Sequence, residues 1–164
     1  MMAKNRTYRI IHEPFLTEWL MRNYPLGSWR TNVRVGPVAP ELKAIAEEAG
    51  FPWVTKLWTG SVDAVVELPD RTVLVEAMVR AEHGKIQQLK NYAQLYRSDP
   101  EFSHRAGLPI ELVLLTPLDV PFIKAMAERE GVRYTVYRPS WIEPLLGSLP
   151  PRIGQGHLQG VVVG

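Results

Sequence analysis

The segment Gly60–Val79, GSVDAVVELPDRTVLVEAMV, contains two apolar runs separated by the four residues LPDR. Valine, leucine and alanine dominate both runs, and each run has the length of an ordinary β-strand. Pro69 followed by Asp70 is typical of a tight turn, because proline fixes φ and aspartate bonds to its own backbone. The segment therefore predicts a β-hairpin.

A two-residue turn decides which side chains face each other across this hairpin. Leu68 then pairs with Arg71, and Asp63 lies opposite Glu76 with Cβ atoms about 5 Å apart. One face of the hairpin carries Ser61, Asp63, Val65, Leu74, Glu76 and Met78. The other face is entirely apolar and is predicted to be core, with Val62, Ala64, Val66, Val73, Val75 and Ala77.

Two carboxylates opposite each other on a half-buried sheet repel, which costs about 1 kcal/mol at low dielectric. A divalent cation bound by Asp63 and Glu76, a proton shared between them, or an arginine beside them would remove this cost. In the simpler alternative, both residues are ordinary strand positions on a solvated face. The pair is therefore a candidate metal site whose interpretation depends on its neighbours.

Apolar periodicity and turn residues divide the remaining chain into helices and strands. Pro14 and Pro40 are predicted at helix starts, Gly50 and Gly131 at helix ends, and Asp119 as a helix cap. The predicted order is α-β-α-β-β-α-β-α-β, a mixed β-sheet flanked by helices in the α/β (α+β) class. Residues 1–148 are predicted to form a single domain, with a Pro/Gly-rich C-terminal tail at residues 149–164.

The composition excludes several kinds of site. The chain has 164 residues and no cysteine, which removes disulfides, zinc–thiolate sites and cysteine nucleophiles. The net charge of +2 is compatible with nucleic-acid binding and does not by itself indicate it. No apolar run is long enough to span a membrane, and the N-terminal residues lack a secretory signal pattern. We expect a cytoplasmic protein, or a virion-associated one if a phage encodes it.

At the hairpin and the helix after it, the sequence resembles the PD-(D/E)XK nuclease superfamily, especially its RecB-like and Cas4-like branches. Asp63 and Glu76 match the two hairpin carboxylates, and Gln88 to Tyr92 match the Gln-x-x-x-Tyr motif of the following helix. Glu18 matches an acidic residue that is common on the family's first helix. The resemblance implies a restriction-endonuclease-like fold.

The resemblance also implies a metal site, and this sequence differs from the family pattern at one position next to that site. The expected Mg²⁺ or Mn²⁺ ligands are Asp63, Glu76, the Ala77 backbone carbonyl and Glu18. In the family, a lysine two residues after the second carboxylate orients or activates the attacking water. Met78 occupies that position here and has neither function.

Another lysine lies on the helix after the hairpin. Lys85, Gln88 and Tyr92 are spaced i, i+3, i+7 and share one stripe of the helix. If Gln88 and Tyr92 face the carboxylates, Lys85 can replace the missing lysine as a catalytic residue; otherwise it is a solvated lysine near a helix start. Arg80 is a candidate clamp for substrate phosphate, since its pKa is too high for a proton acceptor. The apolar stripe beside them is Ile86, Leu89, Ala93 and Tyr96.

Two functions therefore remain open, and a third, that of an unrelated α/β structural protein, remains if the hairpin register is wrong. The first is a nuclease-derived DNA-acting protein, weakly active or inactive because Met78 replaces the motif lysine. The second is a non-catalytic binding or assembly module, for example a phage or mobile-element structural protein, which binds a protein partner or self-associates through its tail. Four tryptophans are either core residues or a contact surface for DNA or protein: Trp29, Trp53, Trp58 and Trp141.

Overall fold

A computed structural model describes residues 2–37, 40–52 and 60–149 of the chain, with side chains from Tyr8 onward. The helices are α1 Met2–Asn23, α2 Pro40–Glu48, α3 Gly84–Ser98, α4 Pro121–Arg129 and α5 Glu143–Leu146, with a short 3₁₀ helix at Pro100–Arg105. The strands are β1 Trp29–Val35, β2 Gly60–Glu67, β3 Thr72–Ala77, β4 Ile110–Thr116 and β5 Arg133–Val136. The predicted element order is confirmed.

The five strands form one mixed sheet in the order β1-β2-β3-β4-β5. β1, β2 and β3 are antiparallel neighbours, whereas β4 and β5 follow in parallel. In the hairpin, Ala64 pairs with Val75, and Leu68 N–H donates to the Arg71 carbonyl at 2.9 Å. This is the predicted register. The central strand β3 is buried throughout, because helices cover both faces of the sheet.

Two apolar clusters hold the helices against the sheet. One packs α3 and α4 on one face and includes Val65, Leu74, Met78, Leu89 and Ile123. The other packs α1 on the opposite face and includes Phe15, Leu20, Val66, Val75 and Leu115. Within the described residues, no helix is long and apolar enough to cross a membrane.

The predicted start of the first helix is wrong. α1 begins at Met2, and Pro14 lies inside it. Proline cannot donate the helical bond to the Ile10 carbonyl, which weakens the helix at that turn. Ile11 and Phe15, on either side of the proline, are both fully buried. Their packing against the sheet offsets the lost hydrogen bond, so the helix continues.

Two other local predictions fail. Asp119 does not cap α4: the N-cap residue is Val120, which makes no side-chain cap bond, and Pro121 follows at the first turn. Proline needs no partner for its missing N–H, so the helix start requires less capping. Val62 packs in the cluster on the α3 face, whereas Ala64 and Val66 pack on the α1 face. The regular alternation of the strand is therefore interrupted at Asp63.

The tryptophans that the structure describes are packed inside the fold. Trp29 and Trp141 are half-buried against the cluster on the α1 face, and the Trp141 indole N–H donates to Glu18 Oε2 at 3.0 Å. Both therefore contribute to the packing of the α1 face, and a role in contacting DNA or protein stays a prediction. Trp53, Trp58 and the predicted tail beyond residue 149 lie outside the described residues.

Candidate active site

The carboxylates of Asp63 and Glu76 meet where the hairpin strands separate. Asp63 N–H donates to Glu76 Oε1 at 3.0 Å, and Ala77 N–H donates to Asp63 Oδ2 at 2.9 Å. In the hairpin register Ala77 faces Val62, so the Asp63 carboxylate accepts the bond that a strand carbonyl would otherwise accept. Each carboxylate is therefore held by the backbone of the opposite strand, which explains the break in alternation.

Lys85 reaches this pair from the first turn of α3. Its Nζ lies 3.3 Å from Glu76 Oε2 and 3.9 Å from Glu82 Oε2, and its side chain is 12% exposed. The alternative of a solvated lysine is therefore wrong. The i, i+3, i+7 spacing with Gln88 and Tyr92 therefore predicted the correct side of α3 for the Lys85 ammonium.

Gln88 and Tyr92 continue the same stripe of α3. Gln88 Nε2 donates to the Tyr92 hydroxyl at 2.7 Å. Burial first, and then the charges of Glu76 and Asp63, raise the pKa of Tyr92. Gln88 thus fixes the Tyr92 hydroxyl, close enough to the carboxylates for their charges to affect it. A role of either residue in binding substrate stays a prediction.

We expect Gly60→Ala to destabilise the protein by about 1–3 kcal/mol, the usual cost of overpacking. A Cβ at Gly60 would lie 2.5 Å from Tyr92 Cε1 and 2.7 Å from Cδ1, so the ring would have to move. Urea denaturation measures the change, with Gly107→Ala as control, because a Cβ there meets nothing within 4 Å. Equal stabilities of the two variants would contradict the close packing of Tyr92.

His12 is a member of the site that the sequence did not reveal. Its Nε2 donates to Asp63 Oδ2 at 3.1 Å, and its ring stacks on Tyr8 with centroids 5.1 Å apart. The side chain is 12% exposed. The i, i+4 spacing of Tyr8 and His12 was a usable signal, but both precede Pro14, where the helix was wrongly predicted to begin.

Burial and the neighbouring charges shift the pKa values of Glu76, Lys85 and Asp63. Burial first, and then the charge of Asp63, raise the pKa of Glu76 to about 8, although Lys85 opposes this. Burial works against charge on Lys85 as well, but Glu76 and Asp63 raise its pKa to about 12. Burial would raise the pKa of Asp63, yet the His12 hydrogen bond, Lys85 and Ala77 N–H lower it below its usual value.

Two further residues predicted for the site, Glu18 and Arg80, have other partners in the structure. Glu18 pairs with Arg22 at 3.5 Å and accepts the hydrogen bond from Trp141, so its carboxylate is already occupied away from Asp63. Arg80 is not on the strand with Glu76: it follows the end of β3, and its guanidinium lies 4.8 Å from the Tyr8 ring centroid. A role of Arg80 in binding substrate phosphate stays a prediction.

The donor set fits a hard divalent cation. Mg²⁺ usually binds to one or two carboxylates and completes its coordination with water and substrate phosphate. Asp63 and Glu76 provide two such groups from adjacent strands. Among residues 8–37, 40–52 and 60–149, no cluster of three or more His, Cys, Asp or Glu side chains could hold a metal. A cation here would therefore depend on this pair and on backbone, water or phosphate oxygens.

The similarities to known proteins are distant. No protein-family model matches the chain, and no curated protein matches it significantly. Among solved structures, an EndoMS–dsDNA complex matches with a TM-score of 0.45 and 17% identity, over 85% of this chain and 46% of that one. A repair endonuclease from Pyrococcus abyssi matches with a TM-score of 0.45 and 17% identity, over 77% and 47% of the respective chains. The chain thus spans about half the length of the structures it resembles.

Proposed function

We propose that this protein is a nuclease-like enzyme of the PD-(D/E)XK type, which hydrolyses DNA phosphodiesters with Mg²⁺ or Mn²⁺ bound at Asp63 and Glu76. The observation that supports this most is the position of Lys85, whose Nζ lies 3.3 Å from Glu76 Oε2. A buried ammonium beside two converging carboxylates has the chemical groups that metal-assisted phosphoryl hydrolysis needs. The roles of all these residues are part of the proposal.

Lys85, rather than position 78, supplies the lysine in this proposal. Met78 is fully buried in the cluster under α3, and its Sδ accepts a weak hydrogen bond from Glu82 N–H at 3.3 Å. Met78 is thus a residue of the hydrophobic core. The substitution of methionine for the family lysine therefore gives no sufficient reason for inactivity.

The bound cation would polarise the scissile phosphate and lower the pKa of a water molecule. Hydrogen bonds from His12 and from Ala77 N–H fix the position of the Asp63 carboxylate. A hydrogen bond from Asp63 N–H fixes the Glu76 carboxylate. Lys85 orients the attacking water and stabilises negative charge on the phosphate. The water gives up a proton to solvent as its oxygen forms a bond to phosphorus, one ester P–O bond breaks, and the leaving oxygen takes up a proton from solvent.

A DNA digestion assay tests the proposed function. We expect the wild type to cut plasmid and linear DNA in Mn²⁺ and not in EDTA, and Asp63→Asn to lose this activity. Asp70→Asn is the matched control, since Asp70 is an exposed turn residue whose replacement removes the same charge. Cutting that survives Asp63→Asn, or that persists in EDTA, would contradict the proposed site.

The second candidate is a non-catalytic module, and one observation favours it. Lys85 Nζ donates a hydrogen bond to Glu76 Oε2 at 3.3 Å, so each of these buried groups has a partner without a metal ion. In that case the wild type leaves DNA intact under all conditions, and its binding to a partner does not change with EDTA.

A further inference from the structure

A pocket of about 510 Å³ opens beside the carboxylate pair, on the side of α1 and β1. Asp63 and Lys85 line one end of it, and residues of α1 and β1 line the rest. Pockets that bind small organic groups typically measure about 300–1,000 Å³. The volume therefore accommodates a group of the size of one nucleotide directly next to the proposed reaction centre.

One wall of the pocket is aromatic. Tyr8 and His12 stack on each other with an interplanar angle of 27°, and both line the pocket together with Leu16. Flat rings and apolar side chains are the surfaces against which nucleobases pack, and such contacts are tolerant of base identity.

The β1 residues of the pocket provide hydrogen-bonding groups. Thr31 and Asn32 of β1 line it, and the flanking pairs Thr31–Ala64 and Val33–Val62 place Asn32 across from Asp63. Asn32 has φ of 53°, a left-handed conformation that is uncommon outside glycine, although asparagine adopts it more readily than most residues. Such conformations are concentrated at ligand-binding positions. The asparagine amide can both donate to and accept from the edge of a base.

Charge at the pocket suits a nucleotide as well. Arg9 is exposed and lines the pocket, so its guanidinium is accessible to a phosphate group. Glu13 also lines the pocket and is a hydrogen-bond acceptor for the amino or imino groups of a base.

We infer that this pocket binds an unpaired nucleotide of the DNA strand, adjacent to the phosphate that the carboxylates and Lys85 act on. This inference rests on the proposed function and adds a substrate class to it: DNA with a single-stranded or strand-end nucleotide at the cleavage position. A paired base within a duplex is stacked on both faces and cannot enter a pocket of this kind without leaving the helix.

Binding of a short single-stranded oligonucleotide containing 2-aminopurine tests the inference in EDTA, where no cleavage occurs. We expect the fluorescence of the aminopurine to fall on binding, and a duplex with the same base paired to bind at least about tenfold more weakly. Asn32→Gly removes the amide while keeping the left-handed backbone, and we expect about tenfold weaker binding, as for one lost bidentate base contact. Tyr8→Leu provides a second, independent variant.

Asn91→Ala is the control, because Asn91 is exposed on α3 and bonds only locally to Gln87 among the contacts described. Wild-type affinity in both Asn32→Gly and Tyr8→Leu, or equal binding of the paired duplex, would overturn the inference while leaving the proposed hydrolysis intact. Loss of binding in both variants together with a nuclease-inactive wild type would support the pocket and refute the proposed hydrolysis.

Discussion

Replacement of Lys85 by methionine is expected to reduce Mn²⁺-dependent DNA cleavage by about 10²–10³-fold, the usual cost of removing one positioned donor that stabilises developing negative charge. Methionine keeps most of the length of the side chain and removes the ammonium that lies 3.3 Å from Glu76. Single-turnover cleavage of a labelled duplex with a single-stranded end measures the rate. Metal affinity should change far less than the rate, because both carboxylates remain.

Lys90→Met is the matched control for this experiment. Lys90 lies on the same helix and pairs with Glu130 at the surface, so its loss removes the same charge without touching the site. The double variant Met78→Lys/Lys85→Met tests whether a lysine at position 78, where the family has one, restores DNA cleavage. Partial recovery would show that the carboxylates retain a competent arrangement, whereas cleavage by Lys85→Met at the wild-type rate would contradict the role given to Lys85.

Glu76→Gln is expected to change how stability depends on pH. Because the folded-state pKa of Glu76 is about 8, against an ordinary value of 4.5, the native state holds a proton that the unfolded chain releases between these values. The free energy of unfolding therefore falls as pH rises through this window, with a contribution of up to about 1.4 kcal/mol per pH unit from Glu76. Glutamine removes that contribution, so the variant should gain stability relative to wild type towards pH 8.

Urea denaturation in EDTA at intervals from pH 5 to pH 9 measures this difference. Glu48→Gln, at the exposed end of α2, is the control for loss of one carboxylate. In a separate series without EDTA, added Mn²⁺ should raise the free energy of unfolding of the wild type more at pH 8.5 than at pH 6, since the cation competes with the proton on Glu76. Parallel pH profiles for wild type and Glu76→Gln would show that Glu76 is not a buried, proton-binding group.

Turn residues and apolar periodicity were sufficient to predict the hairpin and the orientation of α3. The Pro69–Asp70 turn fixes the register, and the register brings Asp63 and Glu76 together. Helical spacing then places Lys85 beside them, because a helix that follows such a strand packs one stripe onto the sheet. These features depend on contacts within a short stretch of chain, which sequence patterns describe well.

Features that depend on packing between distant segments could not be predicted in the same way. Proline normally ends a helix, but α1 continues through Pro14 because apolar side chains on both sides of it are buried. That continuation carries His12 to Asp63, 51 positions away in the chain. Glu18 has a matching position in the motif but is held by Trp141, a partner that no local pattern indicates.

A crystal structure of the protein soaked in Mn²⁺ tests the central claim most directly. We expect an anomalous peak within coordination distance, about 2 Å, of one oxygen from each of Asp63 and Glu76, with the Lys85 ammonium still adjacent. A crystal that shows no manganese at this position, with Lys85 still bonded to Glu76 as it is without metal, would contradict the metal site and the hydrolysis proposed from it.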